Sequence, residues 1–162
     1  MNTARRQAAV LPTTVVDDAR PPAALTAVER LAEFVAGATI PDDARVAACD
    51  AVQDTVGVML AGASEPVASI VRRTALMEVA QGPASLFGTP HTTSATWAAL
   101  VNGAAAHALD FDDMCWTSLA HPSASLVAAS MATAESIGAG GRGVLEGYVV
   151  GFEVEAALGS AM

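Results

Sequence analysis

The chain of 162 residues contains no lysine: all eight basic residues are arginines, set against 17 aspartates and glutamates. With a formal net charge of −9 and a pI near 4.5 it offers no electrostatic footprint to a phosphate backbone, which excludes nucleic-acid binding. Cysteine is scarce too. Cys49 and Cys115 stand far apart without a CxxC spacing, so a disulfide framework and a zinc knuckle are excluded and reduced, intracellular thiols are expected. Two charge-free stretches, Val79 to Leu109 and Met114 to Ala134, are long enough to span a membrane. They carry Pro83, Pro90, His91, His107, His121 and Pro122 and few leucines, isoleucines or phenylalanines, so no membrane association is expected. No sustained apolar run precedes Pro12, Asp17 and Asp18, so no secretory signal is read there and a cytoplasmic protein is expected.

Aromatic residues make up only 4% of a chain that is 52% apolar. Alanine, at nearly a quarter of all positions, supplies the difference, and small side chains on helices imply short distances between helix axes. Residues 1–23 mix Thr, Arg, Asp and three prolines without period and read as a disordered arm. Thr26 with Glu29 has capping-box spacing and opens a helix that Gly37 ends. Pro41-Asp42-Asp43 opens a second, with Val46, Cys49, Val52, Val56 and Met59 as its apolar stripe. Glu65-Pro66 opens a third, to about Ala80, with Val67, Ile70, Val71 and Ala75 inward and Arg72 and Arg73 outward. A short extended piece near Ala84 to Phe87 precedes a helix capped by Ser94 and running to about Leu109, and another runs from Pro122 to Ile137. Gly138 to Gly143 forms a turn, and a last helix starts at Val144. Six helices and almost no strand make the class all-α, a close-packed multi-helix bundle. The last helix runs without a stop signal into Met162, so residues 24–162 are expected to be part of a larger helical domain.

The polar residues concentrate between His107 and Ser123, in the run His107-Ala-Leu-Asp110-Phe-Asp112-Asp113-Met-Cys115-Trp116-Thr117-Ser-Leu-Ala-His121-Pro122-Ser123. Three residues apart at a helix end, His107 and Asp110 would share a face. His121 precedes a proline suited to the first turn of the next helix, so it falls at an N-cap, where the positive end of the dipole favours a neutral imidazole. Free N–H groups at Ser123 and Ala124 could then hold a substrate carboxylate beside that base. His107, Asp110 and His121 are also metal-ligand types, but no tight motif such as HExxH frames them, and no metal is expected.

In order along the chain come Asp54-Thr55-Val56-Gly57 with Leu60-Ala61-Gly62, then Asn102-Gly103, His107, Asp110-Phe111-Asp112-Asp113 and His121-Pro122-Ser123. This series resembles the MmgE/PrpD family, which includes 2-methylcitrate dehydratase and cis-aconitate decarboxylase. The resemblance covers roughly residues 24–162. It implies the opening part of a helical domain and cofactor-free lyase or isomerase chemistry on small polycarboxylates, of the hydro-lyase type. It also implies a homodimer, with further basic and aromatic groups supplied by later sequence. His121 and Asp110 would be catalytic, and Ser123, His107, Asp113 and Thr117 would bind substrate. Where the family often has a threonine directly after the paired aspartates, this chain has Met114, and Thr117 comes later. A second expectation, drawn from the open last helix, is a truncated helical fragment that serves oligomerisation or no function.

Overall fold

Thr26 nucleates the first helix, α1 (Ala27–Gly37), with a reciprocal cap. Its hydroxyl accepts the Glu29 N–H at 3.2 Å, and the Glu29 carboxylate accepts the Thr26 N–H at 2.7 Å. Those bonds hold the Glu29 carboxyl below the usual carboxylate range. The computed structural model describes residues 25–78 and 81–162, so the expected arm over 1–23 lies outside the described residues. The remaining elements are α2 (Asp42–Gly62), α3 (Pro66–Met77), β1 (Ala84–Ser85), β2 (Thr92–Thr93), α4 (Ala95–His107), α5 (Pro122–Ile137) and α6 (Gly141–Ser160). The architecture is all-α apart from the small β1–β2 antiparallel hairpin, in which Ala84 pairs with Thr93. Among the described residues no single helix is long and apolar enough to cross a membrane.

Proline opens α3 and α5 from the first turn, where its missing N–H costs nothing. At Pro41 the expectation shifts by one position: this proline is the N-cap of α2. Gly138 ends α5 with φ of 68°, a left-handed conformation that glycine adopts without strain, and Ala139 N–H closes the end on the Ala134 carbonyl at 2.8 Å. Three residues of the expected glycine turn belong to α6, which begins at Gly141.

Packing follows the small residues. On α2 the buried side is Ala48, Thr55, Met59 and Gly62, while Val46 and Cys49 of the expected stripe are exposed. On α3, Ala68 and Ala75 are buried and Val67 and Ile70 face outward. The reason is distance: helices that approach closely accept alanine, glycine or threonine between them and leave the branched residues outside. Arg72, expected on the wet side, is half-buried and donates to the Ala63 carbonyl at 2.8 Å, satisfying an oxygen left over at the end of α2. Helix α5 is central, packing on α4, α6 and α2, and α3 covers the other side of α4. One cluster joins Ala48, Met59, Ala106, Ala124, Val127, Ala128 and Tyr148, and a second joins Ala75, Ala84, Leu86, Ala98, Val101 and Ala132.

The hairpin is tied to this bundle by polar groups. Buried Asn102 on α4 accepts the Phe87 N–H at 3.0 Å and donates to the Ser85 carbonyl at 2.9 Å, while Glu135 on α5 accepts the Ser85 N–H at 2.7 Å. Gly62 marks a close approach of α2 to α4, since a Cβ there would run into the Ala105 carbonyl oxygen. Gly62→Ala is therefore expected to lower unfolding free energy by about 1–3 kcal/mol in urea titrations. Gly57→Ala, on the same helix with nothing within 4 Å of the added carbon, should gain up to about 1 kcal/mol from helix propensity. Equal effects at the two positions would contradict the close α2–α4 contact.

Candidate active site

Helix α4 stops at His107, and the chain turns there because Asp110 takes a left-handed conformation, φ 56°, with its N–H on the His107 carbonyl at 3.2 Å. Aspartate reaches this region more readily than most residues with a Cβ. The turn carries Asp112 back beneath the helix end. Its side chain has 0% solvent exposure, and His107 Nδ1 lies 3.1 and 2.9 Å from its two carboxylate oxygens. His121, at the start of α5, places its own Nδ1 3.5 Å from the same Oδ2. The two imidazoles meet edge-on, ring centroids 5.0 Å apart. Asp110 joins them: His107, Asp110, Asp112 and His121 each offer one nitrogen or oxygen, and these four atoms lie within 4.8 Å of one another.

The chain between these residues is braced. Cys115 N–H donates to the Ala120 carbonyl at 2.9 Å, and Leu119 takes φ of 52°. Hydrogen bonds from Ser118, and secondarily from Thr117, pull the Cys115 thiol below its ordinary value. Asp113 does different work from its neighbour. Its carboxylate accepts the Ser123 N–H at 3.0 Å and the Ser123 hydroxyl at 2.7 Å, so it caps α5 from ten residues upstream. With that hydroxyl proton committed, the Tyr148 hydroxyl must be the donor in its 2.8 Å bond to Ser123 Oγ. His121 occupies the N-cap position but makes no side-chain capping bond.

Of the residues expected to act, His121, Asp110 and His107 come together. Ser123 and Asp113 bind each other, and Ser123 is buried with its N–H taken, which corrects the expectation of a free donor there for a carboxylate. Thr117 is exposed on the loop and lies outside the cluster. Asp112, absent from the expected set, is the hub. Helix spacing pointed to Asp110 as the partner of His107, but the helix ends at His107, and five residues of irregular chain put Asp112 there instead.

Between α4 and α5 lies a cavity of about 480 Å³ whose walls include Leu100, Gly103, Ala104 and Ala124 and whose ionisable lining groups are His107 and His121. A larger hollow, about 590 Å³, lies beside α6. Its charged lining is spent in the Arg142–Glu146 pair at 2.8 Å and the Arg45–Asp42 pair.

Residues 29–162 match the family model of the MmgE/PrpD N-terminal domain. The chain belongs to the MmgE/PrpD family. The segments Asp110 to Asp113 and His121 to Ser123, both inside the matched range, are brought face to face by the fold. Each segment divides its labour alike, one part in the imidazole–carboxylate cluster and the other in the Asp113–Ser123 cap.

Burial pushes the Tyr148 phenol above its ordinary value, reinforced by the charges of Asp113 and Glu155. The folded chain thus keeps a proton that the unfolded chain loses near pH 10, so stability is intact below that pH and falls as pH rises past it. Tyr148 is the only tyrosine, so tyrosinate absorbance reads it alone. Its midpoint in the native chain should lie above that in denaturant; coincident midpoints would contradict the buried Tyr148–Ser123–Asp113 chain.

Proposed function

We propose that this chain carries the acid–base centre of a hydro-lyase acting on small polycarboxylates, in the manner of 2-methylcitrate dehydratase. The observation that carries the reading is the gathering of two imidazoles and two carboxylates within 4.8 Å, with both imidazoles on one cavity. Loss of water from a β-hydroxy acid needs a base for the proton next to a carboxylate and an acid for the departing hydroxide. His121 takes the carbon-bound proton and Asp110 is the acid that delivers a proton to the departing hydroxyl, so that an alkene and water leave. Asp112 orients both imidazole rings, as a carboxylate behind a catalytic histidine does. His107 contacts the substrate, while Asp113 and Ser123 act by fixing the start of α5. The reaction uses no cofactor.

Arg45, Arg72 and Arg142 are engaged elsewhere, and neither Arg30 nor Arg73 lines the cavity that His107 and His121 share. In this reading the cation that anchors the substrate carboxylates comes from outside the described residues, and the working unit is a cytoplasmic homodimer. A second reading, a non-catalytic helical unit serving oligomerisation, is favoured by one observation: Phe111, Trp116 and Leu119 all stand exposed on the loop beside the cluster, Trp116 at 79%.

Turnover of a panel of tricarboxylates and their β-hydroxy acid analogues, followed by ultraviolet absorbance of the alkene, separates the two. His121→Ala is expected to lose roughly 10²–10⁴-fold in kcat with its helical circular dichroism unchanged. A folded protein that includes the residues supplying that cation and still converts no member of the panel, or a His121→Ala variant as fast as its parent, would overturn the proposal.

A further inference from the structure

We infer that the cluster of His107, Asp110, Asp112 and His121 binds one divalent transition-metal ion of the zinc class, and that the bound ion blocks the site. The binding stands on geometry and donor chemistry alone; only its consequence, inhibition, rests on the proton transfers proposed above.

Zinc holds nitrogen and carboxylate oxygen donors at about 2.0–2.2 Å in a tetrahedron, so neighbouring donors around it stand roughly 3.3–3.4 Å apart. The two distances centred on Asp112 Oδ2, 2.9 Å to His107 Nδ1 and 3.5 Å to His121 Nδ1, bracket that edge length. Asp110 completes a set of four donors within 4.8 Å, enough for a closed coordination shell. A second observation points the same way. His121 Nδ1 is buried and has no hydrogen-bond partner, although it faces a carboxylate on which His107 Nδ1 already sits. A buried nitrogen in that state is costly unless something with a positive charge completes it.

The donor set selects the ion. Imidazole nitrogens suit zinc, nickel, cobalt and copper, whereas calcium and magnesium take shells of oxygen. Two carboxylates balance a dication while both imidazoles stay neutral. Access is open, because the His107 side chain is 56% exposed and His121 borders the cavity between α4 and α5. An ion held there takes the carboxylate of Asp110, the acid of the proposed reaction, and pins the His121 ring that is its base, so it interferes with turnover.

The test is titration of the chelator-treated full chain with zinc chloride by calorimetry, without substrate, paired with cobalt(II) absorption spectroscopy. One ion per chain is expected, with the intense visible band of four-coordinate cobalt rather than the weak band of the hydrated ion. Asp112→Asn, which keeps side-chain shape, and His121→Ala should each weaken zinc binding at least ~10–100-fold. His91→Ala, remote from the cluster, should leave it unchanged. No saturable binding, a cobalt spectrum of the hydrated type, or binding that survives both cluster variants would overturn the inference. The cobalt spectrum of the unmodified chain decides the matter even if a variant fails to fold. A failed zinc titration would leave the proton-transfer proposal standing, and a fully active His121→Ala enzyme would leave the ion site standing.

Discussion

A carboxylate withdrawn from water must be met by hydrogen-bond donors or by positive charge, and Asp112 is withdrawn completely. The His107 imidazole hydrogen-bonds it at 2.9 Å, and the His121 ring, from the next helix, stands 3.5 Å from the same oxygen. That single requirement explains the form of the segment between α4 and α5. Asp110 must turn left-handed to bring Asp112 under the helix end, and the Cys115–Ala120 bridge closes the chain so that it returns to His121. Asp113 must then reach past its neighbour to cap α5. Without the buried carboxylate, nothing in the chemistry of this loop would fix the two rings edge-on at 5.0 Å.

The bundle makes the meeting possible. Helices α4 and α5 pack through alanines and Gly103, where an added Cβ would sit 3.4 Å from the Ala124 carbonyl oxygen. A pair this close brings the last residue of one helix and the N-cap of the next within reach of a single side chain. The abundance of alanine and the shortage of aromatics are thus conditions for the site. Larger core residues would separate the helices and pull the imidazoles from the shared carboxylate.

What could be read from the sequence was local. The Thr26–Glu29 capping box, the prolines at Pro66 and Pro122, and the bounds of α5 depend on residues within a turn of each other, and the structure has them where that chemistry puts them. What could not be read depends on distance between helices or on irregular backbone. The inner face of α2 belongs to Ala48, Thr55 and Gly62 because of what packs against it, which hydrophobic periodicity along α2 does not record. Asp112 was hidden for another reason: helix spacing beyond His107 pointed to Asp110, and a single left-handed residue handed the central position to the aspartate two places on. Asp113 looked like a residue for substrate and is a cap for α5, since its partner Ser123 lies ten residues away.

The dependence of both rings on one carboxylate is open to direct measurement, because the chain has three histidines and only two are in the cluster. Nitrogen-15 and proton resonances of all three imidazoles, compared between the parent chain and Asp112→Asn, report the environment of each ring. The account predicts that the His107 and His121 signals both move while those of His91 stay in place. A change at His107 alone, or at neither ring, would show that the two helices do not converge on Asp112.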